Sequence, residues 1–307
     1  MPAIVHNESA AMEMGPVALA VADLSRSLSF YQKVLGCSLL ACSSGSAVVG
    51  SERPLLLLIE QRGAQLRPAH TIGLYHVAFL LPGRADLARA LRHLIESGNA
   101  PEKLEDHGIS EALYLSDPDG NGIELYRDRP RSAWPWLNQK LAASADPSTP
   151  LSAESLLAEL AGSEDHWRGL PMFTRIGHIH LQVADLAQSA AFYQGVLGFD
   201  ESITGIDGAC FFSVGGYHHH IGCNVWTSAG AAAPPDSVTG LRFFTLVLNE
   251  REQVAQVLAR YHAVGKVAEE YGHSCLLRDP AGNGVLLTTE ALQQSQEVLA
   301  LATIAHM

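Results

Sequence analysis

Two histidines and a glutamate sit in apolar runs where packing alone explains them poorly. His76 lies in GLYHVAFLL, five residues before Leu81, and His178 lies in GHIHLQVADL, five residues before Val183. Glu124 lies in DPDGNGIELY between Ile123 and Leu125. A carboxylate on an apolar strand is expensive to bury unless it binds something. Imidazole and carboxylate are also the donors that hold divalent first-row metals, although a strand histidine taken alone is more often a hydrogen-bonded core residue. A third segment, GGYHHHIGCNVW, carries His218, His219 and His220. Imidazoles titrate near neutrality and suit proton transfer. Read as one continuous strand, this segment places His218, His220, Asn224 and Trp226 on one face and His219 on the other.

The elements that must position these side chains come from a repeat. VADLSRSLSFYQKVLG begins at Val21 and VADLAQSAAFYQGVLG at Val183, an offset of 162, and DPDGNG at Asp117 recurs as DPAGNG at Asp279 with the same offset. Within the first copy, Asp23 is an N-cap, Leu24, Leu28, Tyr31 and Val34 form one apolar face, and Gly36 ends the helix. The grammar recurs with Asp185, Leu186, Phe192, Val196 and Gly198, and another helix is predicted over Ala85 to Ser97. Strands are predicted over Pro16 to Val21, Tyr75 to Leu81, His178 to Val183 and Arg242 to Leu248. The pattern of strand, helix and several strands therefore occurs four times. Residues 1–130 hold modules one and two, 131–172 a linker with a helical stretch at Ser155 to Ala161, 173–290 modules three and four, and 291–307 a terminal helix and tail.

The 307 residues suffice for two well-packed halves. Lys and Arg number 20 against 32 Asp and Glu, giving −12, which repels nucleic acid and anionic lipid. No run is long and apolar enough for a membrane span, and the first residues do not read as a signal peptide, so a cytoplasmic protein is expected. Cys37, Cys42, Cys210, Cys223 and Cys275 are scattered without a CxxC pair and read as reduced core residues.

Four βαβββ modules with VADLxxSxxFYxxVLG in the first and third resemble the vicinal oxygen chelate superfamily of glyoxalases, resistance proteins and extradiol dioxygenases. The resemblance implies an α+β fold in which the modules form two cup-shaped mixed sheets, with metal ligands on the first and last strands of a module. His178, His76 and Glu124 occupy such positions, and a two-His, one-carboxylate set with open sites suits Fe(II) or Mn(II). From His107 the chain reads HGISEALYLSDPDGNGIE, which closely resembles the extradiol dioxygenase signature, except that Glu105 stands where a small or aliphatic residue is usual. That match implies that His107 contacts the substrate and Tyr114 hydrogen-bonds a catechol oxygen. His220 followed by Asn224 resembles a glyoxalase ligand strand with its glutamate replaced, so His220 is either a fourth ligand or, with His218, an acid and base. His180, Asn224 and Trp226 complete the expected substrate contacts.

The activity implied is extradiol cleavage of a catechol-type or hydroquinone-type ring by O2 at one metal. A metal-dependent glyoxalase or isomerase, and a non-catalytic small-molecule binder, are the alternatives. No nucleic acid or membrane partner is expected, and a homo-oligomer is left open. Modules one and four carry Pro16, Phe243 and Leu286 where ligands would stand, so they keep the fold without the metal. Pairing in sequence order gives neither cup a full ligand set. Pairing module two with module three, within one chain or by exchange between two, gathers His76, Glu124, His178 and His220 in one cup.

Overall fold

The computed structural model describes residues 12–137, 140–142, 149–162 and 166–306. Parts of the expected linker, at 138, 139, 143–148 and 163–165, lie outside the described residues, as do the ends of the chain. Module one consists of β1 (Met12–Val21), α1 (Leu24–Lys33), β2 (Ser38–Cys42), β3 (Ser46–Gly50) and β4 (Pro54–Glu60). Module two consists of β5 (Gly73–Leu80), α2 (Arg84–Glu96), β6 (Lys103–Asp106), β7 (Ser110–Ser116) and β8 (Gly122–Asp128). The linker contributes the short strands β9 (Trp136–Leu137), β10 (Lys140–Ala142) and β11 (Thr149–Pro150), then α3 (Ala153–Leu157). Module three has β12 (Arg175–Gln182), α4 (Leu186–Ala190) running into a π-helical turn at Ala191–Val196, β13 (Asp200–Thr204), β14 (Ala209–Ser213) and β15 (Ile221–Asn224). Module four has β16 (Gly240–Leu248), α5 (Arg251–Ala263), β17 (Glu269–Tyr271), β18 (Ser274–Arg278) and β19 (Gly284–Thr288), and α6 (Ser295–Ala300) follows.

The modules pair out of sequence order, within the chain. One sheet has eight strands, β17-β18-β19-β16-β1-β4-β3-β2, and joins module four to module one. The other has eleven, β11-β6-β7-β8-β5-β12-β15-β14-β13-β10-β9, and joins module two to module three. In each, the first strands of two modules meet antiparallel, β1 on β16 and β5 on β12. The main core gathers side chains of both sheets, such as Val17, Leu19, Val77, Phe79, Ile179 and Phe244, together with helix residues such as Tyr31, Leu91 and Tyr193.

The duplicated motifs hold each half together. The Asp23 side chain accepts from the Arg26 N–H, and Asp185 accepts from Ala187 and Gln188, so both helices start where their caps predict. Gly36 and Gly198 end them at φ of 74° and 81°, a conformation that glycine adopts without strain. The Tyr31 hydroxyl donates to Asp117 Oδ2 at 2.9 Å, and the Tyr193 hydroxyl to Asp279 Oδ2 at 2.8 Å. The helix motif of one module thus docks on the turn motif of the next, giving DPDGNG a structural role beyond a simple turn.

The C-terminal segment fills the concave face of the eight-stranded sheet. Leu292, Val298 and Ile304 pack against Ala18, Leu57, Phe243 and Leu286. The terminal helix is shorter than expected, α6 giving way to a 3-10 turn at Leu301–His306. Among the described residues no helix is long and apolar enough to cross a membrane.

Candidate metal centre

Strand alternation and register bring the predicted donors together. Ala78 pairs with both Glu124 and His178, and His76 lies two residues before it, so the three side chains project from adjacent strands β8, β5 and β12 on one face. His76 Nε2 lies 3.0 Å from Glu124 Oε2, and His178 Nε2 lies 2.9 Å from the same oxygen. The two Nε2 atoms are 3.3 Å apart. Donors at right angles around an ion at about 2.1 Å stand about 3.0 Å apart, so the cluster fits a facial metal set. All three residues are buried. His178 Nδ1 is buried with no hydrogen-bond partner among the described residues.

The electrostatics also suit a ligand set. Burial alone would raise the Glu124 carboxyl, but the facing His178 and His76 hold it well below the usual carboxylate range. Burial pushes His178 down to about 4, so its ring is neutral at pH 7, as a ligand must be.

A cavity of about 580 Å³ opens on the triad, lined by His76, Glu124 and His178. The signature pair stands at its wall: His107 Nε2 and the Tyr114 hydroxyl are 2.9 Å apart, and the Tyr114 ring lies 5.6 Å from His76. Burial first, then the Glu124 and Glu105 charges, raises the Tyr114 hydroxyl well above its usual pKa. Glu105 lines the cavity too, paired with Lys103 and 3.7 Å from His107 Nε2. His180 pairs in register with His76, and its ring packs 5.0 Å from the His76 ring. Asn224 is fully buried and does not line the cavity; its Nδ2 lies 3.1 Å from His180 Nε2, so it fixes that ring instead of touching a ligand. Trp226 does line the cavity.

The histidine run departs from its expected strand. Gly215 and Gly216 have φ of 65° and 67°, so the chain turns between β14 and β15, and backbone pairing resumes only at His220, whose N–H donates to the Phe212 carbonyl. The expected facing is lost: His219 lines the cavity, whereas His218 and His220 do not. The His219 ring packs 4.1 Å from His178. His220 sits behind, its Nδ1 3.4 Å from the Val214 N–H, and burial pushes it down to about 3. It stands outside the cluster of possible metal donors, which among the described residues is His76, Glu124 and His178.

Residues 13–125 and 175–287 each match the Glyoxalase/Bleomycin resistance protein/Dioxygenase superfamily. The chain belongs to this superfamily. A catechol-2,3-dioxygenase of Bacillus subtilis (strain 168) is 42% identical over 92% of this chain and 98% of its own. A biphenyl-2,3-diol 1,2-dioxygenase 3 of Rhodococcus globerulus is 39% identical over a shorter stretch, 22% of this chain and 35% of that protein. Among solved structures, glyoxalase I of Zea mays shares the fold with a TM-score of 0.54 at 15% identity, covering 96% of each chain.

Within the superfamily fold, the two halves of the metal sheet are not equivalent. His180 pairs with Gly222 as Ala78 pairs with Glu124, so glycine holds the place in module three that the carboxylate holds in module two. A Cβ on Gly222 would approach His180 to 2.9 Å, so the glycine makes room for that ring. The sequence reading missed His219 as a cavity residue. The Gly215-Gly216 pair just before it, a strand breaker, was the available signal.

Proposed function

We propose that the protein is an extradiol dioxygenase that opens a catechol-type or hydroquinone-type ring with O2 at one non-haem Fe(II) or Mn(II). The observation that carries this reading is the His107–Tyr114 contact at the wall of a cavity whose floor is the His76, Glu124, His178 cluster. The single carboxylate, with Gly222 at the corresponding place in module three, leaves a three-donor set with open positions on the cavity side. The 42% identity to a catechol-2,3-dioxygenase over nearly the whole of both chains supports the same reaction class.

His76, Glu124 and His178 would hold the ion. When bound, it supplies a template for two substrate oxygens and the Lewis acidity that favours their deprotonation. Tyr114 stays protonated through the neutral range, because burial and the neighbouring carboxylates raise it. Its hydroxyl, in hydrogen-bond contact with His107 Nε2 and Glu124, stands where it can turn to donate to a deprotonated substrate oxygen. His219 is held neutral by burial and by the surrounding histidines, so it can accept a substrate proton and later return it. Ile109, Ile203 and Phe211 of the wall, with Leu141 from the linker, give the ring an apolar bed from which water is displaced.

The test is anaerobic reconstitution with Fe(II) or Mn(II), addition of catechols and hydroquinones, then admission of oxygen. Oxygen uptake matched to a coloured ring-opened product is expected. Tight metal binding with no oxygen uptake for any diol, but turnover of a thiol adduct, would favour the glyoxalase alternative.

A further inference from the structure

The two walls of the cavity differ in kind. Residues paired across neighbouring strands share a face of the sheet, so the register traces what each wall presents. From His76 one row runs through His180, Gly222, Phe211 and Ile203 to Leu141. Leu141 is the linker's contribution, carried by β10 where it pairs with β13, and it is 1% exposed. Beyond His180 the row carries no polar side chain over four inter-strand steps of about 4.8 Å, about 19 Å along the curved sheet. A single ring covers only part of that length.

The opposite wall, from module two, is charged. The row from Glu124 runs through Tyr114 to Lys103, and Glu105 stands two residues along β6 on the same face. Lys103, Glu105, Glu102 and Arg67 all line the cavity, yet neither cation is spare. Lys103 is paired with Glu105, whose side chain is 9% exposed. Arg67 donates to the carbonyls of Thr71, Ile72 and Leu74 and to Gln182 Oε1.

We propose that the cavity selects diols carrying an uncharged apolar substituent, which lies along Phe211, Ile203 and Leu141, and that Glu105 bars an anionic one. This rests on the dioxygenase reading, which puts the diol at the triad and leaves the rest of the molecule to one wall or the other. A carboxylate on the substituent gains a cation in two ways. It can take Lys103 from Glu105, which leaves a buried carboxylate without its lysine, or draw Arg67 off three backbone carbonyls. The ion does not serve it, because Glu124 and the diol oxygens take up that charge. An alkyl or aryl group meets no such cost and displaces water from the apolar row.

The experiment measures binding before turnover. The full chain, loaded with Mn(II), is titrated without oxygen by calorimetry with isobutylcatechol and carboxymethylcatechol, which match in heavy atoms and differ in charge. Isobutylcatechol is expected to bind about 100-fold more tightly, the loss that follows when binding strands a buried polar group. Glu105→Gln removes the barring charge and releases Lys103, so the preference should fall about tenfold. Lys103→Ala leaves the charge without its partner, so the preference should rise. Along an alkyl series each added methylene should tighten binding about fourfold, and Leu141→Ala should weaken hexylcatechol more than methylcatechol. The proposal is overturned if carboxymethylcatechol binds as tightly, if neither Glu105→Gln nor Lys103→Ala moves the preference, or if affinity ignores chain length. Oxygen is then admitted. Uptake with the selectivity reversed sinks the substrate class alone, whereas the expected selectivity without uptake upholds it and sinks the dioxygenase reading.

Discussion

On the concave face of one sheet, β8, β5 and β12 present Glu124, His76 and His178; at matching register in the other, β19, β16 and β1 present Leu286, Phe243 and Pro16. The backbone pairing is the same in both: Phe243 opposes Gly284 on β19 as His76 opposes Gly122 on β8. The fold therefore does not depend on the ligands. What differs is the filler. The apolar cup is closed by the chain's own Leu292, Val298 and Ile304, whereas the polar cup keeps an open cavity and an unpartnered His178 Nδ1. A carboxylate and two imidazoles tolerate burial only when something joins them, and an ion does so without further protein.

Breaking the polar cup should have the largest effect. Glu124→Ala or His178→Ala should lower metal affinity by more than the 10- to 100-fold typical of an outer-shell partner, and activity should fall to background. Far-UV CD should be unchanged, because the apolar cup shows the ladder standing without these residues. Full occupancy by elemental analysis in either variant would refute the ligand assignment. In the wild-type chain, Fe(II) or Mn(II) at 100 times its Kd should stabilise the fold by about 2.7 kcal/mol.

Breaking the apolar cup should cost stability and leave the metal untouched. Val298 is fully buried, so Val298→Asp places an unpaired carboxylate in that packing or undocks the tail, at a cost of about 3–5 kcal/mol. Phe243→His with Leu286→Glu is the sharper version. It writes two ligand types into the second cup, yet the tail occupies the space, so calorimetry should show a less stable protein with one metal per chain. A second equivalent of metal would mean that the ligands, not the filler, separate the cups.

Much of this contrast was legible before the structure. The offset of 162, the apolar replacements at Phe243 and Leu286, and the ligand count together led to pairing of module two with module three. Two things were not legible. The tail's docking is a long-range contact, and a short apolar stretch after Thr289 gives no sign of which surface it covers. The facing of the histidine run was misread because alternation was extended through Gly215 and Gly216, whose positive φ turns the chain and brings His219 to the cavity. Glu105, noted only as a departure, proves to be a buried carboxylate at the cavity.

The polar cup should also make the metal-free protein acid-sensitive. Burial lowers His178 to about 4 and His220 to about 3, against about 6.5 in an unfolded chain. Between these values the unfolded state binds more protons, so stability falls as pH drops from about 6.5 toward 4. Each buried ring contributes up to about 3 kcal/mol of that loss. Urea melts of His220→Leu should show a shallower pH dependence than wild type. Parallel pH dependences for His220→Leu and wild type would show that this ring is not buried neutral.

The smallest expected effect concerns what the two halves share. Tyr31 and Tyr193 each donate to the carboxylate of the following repeat motif, at 2.9 and 2.8 Å. Tyr31→Phe and Tyr193→Phe remove one donor from a buried acceptor that keeps others, since Asn121 and Asn283 still donate to Asp117 and Asp279. The cost should be about 1–3 kcal/mol in each case, because the ring still fills its site and only the hydrogen bond is lost. The first lock joins module one to module two and the second joins module three to module four, so each spans both sheets and neither belongs to one cup. The two variants should therefore lower Tm by similar amounts and leave metal content unchanged. If only Tyr31→Phe released metal, the Asp117 turn would be acting on Glu124 at the end of the same motif, and the two locks would not be equivalent.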